Sequence, residues 1–296
     1  MFRGFIGVKQ ADIVFIIGAP RSGTNMLRDV VTSFDGVETW PCDEVNYMLR
    51  HGNVRHPSDE FSEHQATPQV KRYLNATFGK YADEFGANIL VEKTCANSLR
   101  VPFLQAVFPD AKYIFIVRDG VDATGSAKQR WTAKLDLAYI LEKVRFVPKI
   151  DLPYYGLRYF WARVHRFFSK DKRLAFWGPA LDNMQAILAK HTLNEVCAIQ
   201  WQKCVEKADA ALNHLPQDQV CCVQYETFVR DPKTELARVL QFMGVEATSE
   251  QLARAVLGVS AKSLGKGRKS LGDKEVVHLE SLVGETLSKF GYLDNA

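Results

Sequence analysis

The chain has 296 residues, of which 47% are hydrophobic and 24% charged, the composition of an ordinary globular protein with a sizeable core. Its net charge of +4 suits an anionic small-molecule ligand and is too weak a bias to indicate a nucleic-acid binder. The six cysteines form no CxxC pair or zinc-type spacing, and no apolar run reaches the roughly 20 residues that span a bilayer, so we expect reduced thiols, no metal site and no membrane helix.

Short β-branched runs alternate with helical patterns along the chain. The predicted strands are Asp12 to Ile17, Ile89 to Val91, Lys112 to Val117 and Val220 to Gln224. The predicted helices are Thr24 to Ser33, Ser98 to Phe108 with a kink near Pro102, and Asp231 to Met243. Strands separated by helices indicate an α/β fold of three layers around a central parallel sheet.

The stretch from residue 131 to residue 200 has a different composition. Aromatic side chains crowd it between Trp131 and Trp177, interleaved with arginines and lysines. We predict that it is an inserted helical lid, the acceptor region of a single domain that spans residues 1–296. Nearer the C-terminus, Ser260 to Gly272 is rich in Gly, Ser and Lys, which indicates a mobile basic loop.

The first turn from strand to helix has the features of a phosphate-binding loop and reads Gly18-Ala19-Pro20-Arg21-Ser22-Gly23-Thr24. At such a turn, backbone N–H groups and the helix dipole converge on one anion. Compared with G-x-x-x-x-G-K-[ST], the glycine spacing is kept, but the lysine is missing and Arg21 lies inside the loop. Since that lysine normally reaches the β and γ phosphates, its absence disfavours an ATP or GTP hydrolase. The alternative is a Gly-Pro turn without a ligand.

A second anion site is indicated by Arg118, which directly follows the strand KYIFIV. Nucleotide hydrolases place a magnesium-binding carboxylate at such a strand end. A guanidinium there favours an anion bound in bidentate geometry and disfavours a metal. The alternative is an arginine that only pairs with Asp119 or Asp122. Two separated phosphate sites without a metal ligand fit a nucleotide phosphorylated on both sides of its ribose.

Three motifs carry a family resemblance. GAPRSGT, VRDGVDATGS and GKGR resemble the 5′-phosphosulfate loop, the 3′-phosphate site and the C-terminal basic loop of sulfotransferases that use 3′-phosphoadenosine-5′-phosphosulfate (PAPS). Their order and spacing also match, so the resemblance extends across most of the chain except the lid. Arg21 is more like the tyrosylprotein branch, and GKGR is more like the heparan sulfate branch. The resemblance implies a P-loop-like fold and transfer of a sulfuryl group from PAPS, with adenosine 3′,5′-bisphosphate (PAP) as product.

The resemblance also assigns binding roles. The loop after the first strand would hold the 5′-phosphosulfate, and Arg118 with Ser126 would hold the 3′-phosphate. Tyr225 resembles the family residue that lies near the adenine, and Trp201 would help to shape the adenine side of the site. The alternative is that both aromatic side chains only pack in the core. The expected nucleotide-binding residues are Pro20, Arg21, Ser22, Gly23, Thr24, Asn25, Arg118, Ser126, Tyr225, Lys266, Gly267 and Arg268.

Sulfuryl transfer needs an activated acceptor and positive charge on the leaving phosphate oxygen. Glu44 resembles the base of the tyrosylprotein branch, but two extra residues before it leave the choice between Glu44 and Asp43 open. Lys93 is expected to stabilise the bridging oxygen alongside Arg21, and Glu92 is either another base candidate or the ion-pair partner of Lys93. Further base candidates, for which the sequence offers no orienting partner, are His51, His56 and His165.

The sequence says less about the substrate that accepts the sulfuryl group than about PAPS, which supplies it. A basic and aromatic lid favours stacking on sugar rings, so a carbohydrate or a glycolipid headgroup is the expected acceptor. A lipid, a small phenol and a protein tyrosine stay open. The N-terminus lacks the features of a signal peptide, so we expect a cytoplasmic protein, with peripheral membrane contact left open. The alternative functions are an atypical P-loop kinase and a nucleotide-binding module without chemistry.

Overall fold

A computed structural model describes residues 11–131, 145–157, 160–161 and 177–293. Within these residues, five strands form one parallel sheet in the order β2-β3-β1-β4-β5. The strands are β1 (Asp12–Ile17), β2 (Val37–Thr39), β3 (Ile89–Glu92), β4 (Lys112–Val117) and β5 (Val220–Gln224). The predicted α/β fold with a parallel sheet is confirmed, and so are the bounds of β1, β4 and β5.

The sheet is flanked by helices on both faces. They are α1 (Thr24–Val31), α2 (Asn46–Leu49), α3 (Pro68–Phe85), α4 (Val101–Val107), α5 (Gly120–Trp131), α6 (Met184–Lys190), α7 (Leu193–Leu212), α8 (Tyr225–Arg230), α9 (Pro232–Met243), α10 (Ser249–Ala255), α11 (Lys266–Leu271) and α12 (Asp273–Lys289). The predicted helix around Pro102 is divided into a 3-10 segment, Cys95–Leu99, and α4, whose first turn contains that proline.

Local sequence signals fix several of the helix ends. The Thr67 hydroxyl accepts from the N–H of Val70 at the start of α3, and Gly86 ends this helix in the left-handed conformation. Thr192 and Glu195 form a capping box at the start of α7. These caps satisfy backbone groups that have no partner inside the helix.

Alternate side chains of the central strand pack on opposite faces of the sheet. Val14 and Ile16 lie in one hydrophobic cluster, together with residues of α1, α8 and α9. Phe15 and Ile17 lie in the other, with residues of α3, α4, α5, α7 and α12. Both faces of β1 are therefore buried, as its unbroken apolar run predicts. The result is the three-layer arrangement expected from the sequence.

Because all five strands are parallel, their carboxyl ends lie at one edge of the sheet. The segment with Arg21 follows β1, Lys93 follows β3, and Arg118 and Tyr225 follow β4 and β5. In open α/β sheets, ligands bind in the crevice at this edge. No helix in the described ranges combines the length and apolar composition needed to cross a bilayer.

Most of the predicted lid lies outside the described residues, which omit 132–144, 158–159 and 162–176. The described part at 145–157 contacts the main body, where Asp151 pairs with His51. The last residues of the predicted insertion, 193–200, form the beginning of α7, and Val196 and Ala198 are buried in the main core. The lid otherwise stays a prediction.

Candidate active site

The phosphate loop, residues 18–24, connects β1 to α1. Gly23 has φ +90°, and a Cβ atom there would lie 2.4 Å from Cδ2 of Tyr225. A Cβ atom on Gly18 would lie 2.8 Å from the backbone oxygen of Ile116. The loop therefore requires glycine at both positions. Ser22 is fully buried and its Oγ has no hydrogen-bond partner in the described ranges, which leaves a donor for a bound anion.

The other loop residues differ in exposure. Pro20 and Thr24 are buried, and the Thr24 Oγ1 lies 3.8 Å from the sulfur of Cys95. Asn25 is exposed, and its Nδ2 donates to Oδ1 of Asp43 at 2.7 Å. Pro20 and Thr24 therefore form the buried part of the loop. Asn25 instead connects the loop to Asp43, one of the carboxylates considered as the catalytic base.

Arg21 links the loop to the neighbouring strand end. Its backbone has φ +69°, which is uncommon for a residue with a Cβ atom. Its Nε donates to the Oγ of Ser126 at 2.9 Å, and its backbone oxygen accepts from Nη1 of Arg118 at 2.9 Å. The two phosphate sites predicted from the sequence thus meet at one edge of the sheet.

Arg118 is 7% exposed, and its guanidinium is held on several sides. Nε and Nη2 donate to Oδ2 of Asp122 at 3.2 and 2.5 Å, and Nη2 also donates to the backbone oxygen of Ser263 at 3.3 Å. With the Nη1 contact to Arg21, these bonds use four of the five N–H groups, one on Nε, one on Nη1 and two on Nη2. The ion-pair partner of Arg118 is thus Asp122, the alternative weighed from the sequence, which accepts two bonds on Oδ2, and within the described ranges one Nη1 hydrogen has no protein partner and could reach a phosphate.

Tyr225 fills the space between the two strand ends. Its ring lies against Gly23, and the guanidinium carbon of Arg118 lies 4.5 Å from the ring centroid, within the range of a cation–π contact. Its hydroxyl lies 2.6 Å from the Oγ of Ser263. The ring therefore supports both the phosphate loop and Arg118.

The segment 260–272 was predicted to be a loop, and this is wrong for most of it, because the segment is largely helical. It contains a 3-10 turn, Ala261–Ser263, and α11. A Cβ atom on Gly125 of α5 would lie 2.3 Å from the backbone oxygen of Gly267, so two glycines let the helices approach closely. Lys266 is exposed, whereas Arg268 pairs with Asp119 and Glu280.

Lys93, the first residue after β3, lies between two carboxylates. Lys93, whose side chain is 1% exposed, places Nζ 2.9 Å from Oδ1 of Asp43 and 3.3 Å from Oε1 of Glu44. Glu44 Oε1 also accepts from the backbone N–H of Cys95 at 3.3 Å. Burial alone would lower the pKa of the Lys93 ammonium, but the nearby negative charges of Glu44 and Asp43 raise it above its usual value. Lys93 is therefore a permanent cation at this edge.

A match to a protein family identifies the kind of protein that carries this site. Residues 13–174 and 162–250 match the model of the sulfotransferase family. The chain belongs to this family. This sulfotransferase is 26% identical over 132 residues to nodulation protein NoeE of Sinorhizobium fredii (strain NBRC 101917 / NGR234). The match covers 40% of this chain and only 32% of the length of that curated relative.

Solved structures with the same fold include two sulfotransferases. The sulfotransferase domain from the curacin biosynthetic pathway has a TM-score of 0.54 and 15% identity, with 96% of this chain and 98% of that one covered. A mouse sulfotransferase, SULT7A1, complexed with PAP has a TM-score of 0.51 and 12% identity, with 94% and 85% covered. At such low identity the similarity establishes the fold alone, which is the P-loop-like fold predicted from the sequence.

Glu92 lies apart from the other candidate bases of this sulfotransferase. It is fully buried, and its two oxygens accept from the hydroxyl of Thr94 and the amide of Asn97. Burial raises the pKa of Glu92 to about 7, although the hydrogen bond from Thr94 opposes the rise. The side chain is directed into the interior, whereas Lys93 is directed toward Glu44 and Asp43.

The histidines and Trp201 occupy supporting positions. His51 Nδ1 lies 2.7 Å from Oδ2 of Asp151, an orienting partner that the sequence did not reveal. His56 Nδ1 lies 3.1 Å from the backbone oxygen of Ser58. His165 lies outside the described residues. Trp201 is buried in α7, and its indole N–H donates to the backbone oxygen of Arg118 at 3.0 Å.

Sequence reasoning missed several residues that build this site. The sequence predicts Asp122 only as an ion-pair partner of Arg118 in the alternative without a phosphate, although the spacing of four residues on a helix indicates a direct contact. Arg28 donates from Nη1 to Oδ1 of Asp43 at 3.1 Å. It lies one helical turn after Thr24, so its position near the phosphate loop could be predicted from the sequence. Ser263 had no signal, because its contacts with Arg118 and Tyr225 depend on the tertiary fold.

Proposed function

We propose that this sulfotransferase moves the sulfuryl group of PAPS in line to a hydroxyl or amine of its acceptor, with a carboxylate as base. The observation that carries the proposal is the contact of Lys93 with both Glu44 and Asp43 at the sheet edge where the phosphate loop also lies. A cation for the leaving oxygen and a base for the acceptor proton are thereby adjacent.

The strand ends fit the two ends of PAPS. The buried Ser22 hydroxyl, the backbone N–H groups of the loop and Arg21 suit a 5′-phosphosulfate. Ser126, Nη1 of Arg118 and the exposed Lys266 suit a 3′-phosphate. Pro20, Gly23, Thr24 and Asn25 would shape the loop, and Tyr225, Gly267 and Arg268 would hold the second site together.

The transfer step assigns a separate task to each charged side chain. PAPS supplies the sulfuryl group and leaves as PAP. The acceptor oxygen forms the new bond to sulfur as the bond between sulfur and the 5′-phosphate oxygen breaks, and the acceptor proton passes to Glu44. Lys93 stabilises the negative charge that develops on the phosphate oxygen, and Arg21 adds positive charge from the loop.

Glu44 is the better base of the two carboxylates beside Lys93. Asp43 Oδ1 accepts from Asn25, Arg28 and Lys93, so three hydrogen bonds already occupy this oxygen. The contacts of Glu44 with Lys93 and with the backbone N–H of Cys95 both use Oε1, and no hydrogen bond to Oε2 is found among the described residues, so Oε2 suits the acceptor proton. We assign Glu92 a structural role, because its oxygens are fully buried and already accept hydrogen bonds.

A carbohydrate or a glycolipid headgroup remains the acceptor that we propose. The rings of Tyr47 and Tyr155 lie 4.5 Å apart, and Tyr47 follows Glu44 by three residues. An aromatic pair near the base suits the face of a sugar ring, with apolar C–H groups stacked on the aromatic surface. The contact of His51 with Asp151 holds the segment that carries Tyr155 against the residues that follow α2. The cytoplasmic location stays a prediction.

Two measurements test the proposal. Thermal-shift titration is expected to show stabilisation by PAP without magnesium, whereas a preference for ATP with magnesium would indicate a kinase. Transfer of labelled sulfate from PAPS into a host-cell extract, followed by mass analysis of the product, identifies the acceptor. A labelled lipid, phenol or protein would replace the carbohydrate assignment, and binding of PAP without any labelled product would favour a module without chemistry.

A further inference from the structure

Asp122 is a buried carboxylate at the start of α5, with 2% of its surface exposed. A buried charge is costly unless it is paired and hydrogen-bonded. Here Oδ2 accepts from Nε and Nη2 of Arg118 and from the N–H of Gly265 at 3.3 Å. Oδ1 accepts from the N–H groups of Gly267 at 2.6 Å and Arg268 at 3.3 Å. One side chain thus satisfies donors from two segments of the chain.

These contacts join parts of the chain that are far apart in the sequence. Arg118 and Lys266 are both proposed to contact the 3′-phosphate, and Asp122 is separated from Gly267, the neighbour of Lys266, by 145 residues. The bond from Arg118 Nη2 to Ser263 adds a second connection between them. The position of the GKGR segment over α5 therefore depends on the Asp122 carboxylate.

Asp122 also determines which edge of the Arg118 guanidinium remains available. The carboxylate occupies the edge formed by Nε and Nη2, so Nη1 is directed to the backbone oxygen of Arg21. Since a guanidinium is planar and rigid, fixing one edge fixes the other. Nη1 is thereby held beside Arg21 of the phosphate loop, the residue whose side chain contacts the Ser126 hydroxyl.

We propose that Asp122 is a positioning residue for the 3′-phosphate of the nucleotide, and that it sets the preference of this enzyme for a 3′-phosphorylated adenosine. Asp122 does not contact the phosphate in this proposal and acts through Arg118 and residues 265–268. The inference rests on the proposed function, because it assumes that PAP binds at this edge of the sheet.

The test compares PAP with adenosine 5′-monophosphate (AMP), which lacks the 3′-phosphate, by calorimetric titration of the full chain. In Asp122→Asn the ratio of the two affinities is expected to fall by about tenfold or more, the order of one lost charge-assisted contact, with little change in the affinity for AMP. The control is Asp209→Asn, which removes the ion pair of Asp209 with Lys289 on a different surface and is expected to keep the ratio.

A merely structural role would lower the melting temperature of Asp122→Asn and leave the ratio unchanged, which would overturn the inference. A ratio that rises would also overturn it, because the carboxylate would then compete with the phosphate. Wild-type protein without a preference for PAP over AMP would overturn the proposed function and this assignment with it.

Asp122→Glu covers the case in which Asp122→Asn does not fold. This variant keeps the charge but moves the carboxylate by one methylene, so positioning predicts a reduced PAP to AMP ratio. An unchanged ratio in Asp122→Glu would show that the placement of the carboxylate does not set the preference, which contradicts the proposal.

Discussion

The indole N–H of Trp201 donates to the backbone oxygen of Arg118 at 3.0 Å, which ties the core helix α7 to the strand end that carries the guanidinium. A Cβ atom on Gly120 would lie 2.4 Å from the Trp201 ring, so the start of α5 packs directly on the indole. Trp201 therefore supports the site from the hydrophobic core. The sequence left open whether this residue serves the core or the nucleotide site, and its contact with Arg118 connects the two.

Trp201→Phe is expected to destabilise the protein by about 1–3 kcal/mol, because a buried backbone oxygen loses its donor while most of the ring packing is kept. Urea unfolding followed by fluorescence measures the change. The control is Trp40→Phe, since Trp40 is also buried but its indole N–H has no partner in the described part of the chain. Equal losses in the two variants would show that packing alone explains the effect.

Glu44→Gln is expected to lower kcat by about 10²- to 10⁴-fold, because an amide cannot accept the acceptor proton. Asp43→Asn serves as the matched variant, and its effect is expected to be smaller, since Asp43 orients Lys93, Arg28 and Asn25. Sulfate transfer at saturating PAPS measures both. A larger loss in Asp43→Asn than in Glu44→Gln would exchange the two roles.

Lys93→Met is expected to lower kcat by about 10²- to 10³-fold, the effect of removing one group that stabilises charge in the transition state. The affinity for PAP is expected to change less, because the loop still holds the 5′-phosphate. Single-turnover kinetics and PAP titration separate the two quantities. Lys207→Met, which removes a peripheral ion pair with Glu60, is the control and is expected to retain activity. A fall in PAP affinity as large as the fall in kcat would assign Lys93 to nucleotide binding.

Gly23→Ala is expected to destabilise the protein by about 1–3 kcal/mol and to abolish PAP binding, because φ +90° is strained for alanine and the new Cβ atom would meet the Tyr225 ring. Gly79→Ala is the matched substitution, since Gly79 lies inside α3 with no atom within 4 Å of the added Cβ. That change is expected to stabilise the protein by about 0.5–1 kcal/mol. Thermal melts with and without PAP test both, and unchanged PAP binding in Gly23→Ala would contradict the loop assignment.

The strands and the phosphate loop could be predicted because their signals are local. DIVFII and KYIFIV are continuous apolar runs bounded by turn residues, and the spacing of Gly18 and Gly23 is a property of seven consecutive residues. The strand β2 escaped prediction because it has three residues, VET, of which only Val37 is buried. So short a segment becomes a strand by pairing with β3.

The second half of the site depends on contacts between distant segments. The composition of Ser260 to Gly272 indicates a loop, yet packing of α11 on α5 makes part of it helical, since tertiary contacts override weak local propensity. The sequence also gave no way to separate Glu92 from Glu44. The two differ in the direction of their side chains, one into the interior and one toward the cleft, and that direction is decided by the packing around β3.

Glu92 predicts a specific dependence of stability on pH. Its pKa is about 7 in the folded protein because the carboxyl is buried, against 4.5 for an ordinary glutamate. Between these two pH values the folded protein binds more protons than the unfolded chain, so the free energy of unfolding falls as the pH rises from 4.5 to 7. The stabilisation is complete below this window and is lost above it.

Glu92→Gln removes this titration while keeping the size of the side chain. Below pH 7 the folded wild type holds a protonated Glu92 carboxyl, and the Gln amide, which also has one donating and one accepting end, can contact Thr94 and Asn97 in the same way. The two proteins are therefore expected to differ least at acidic pH, and the stability of the wild type relative to Glu92→Gln is expected to fall as the pH rises through the window. Urea unfolding of both proteins across this range measures the difference, in which all other titrations cancel. Parallel curves would show that Glu92 ionises in the folded protein as it does in the unfolded chain.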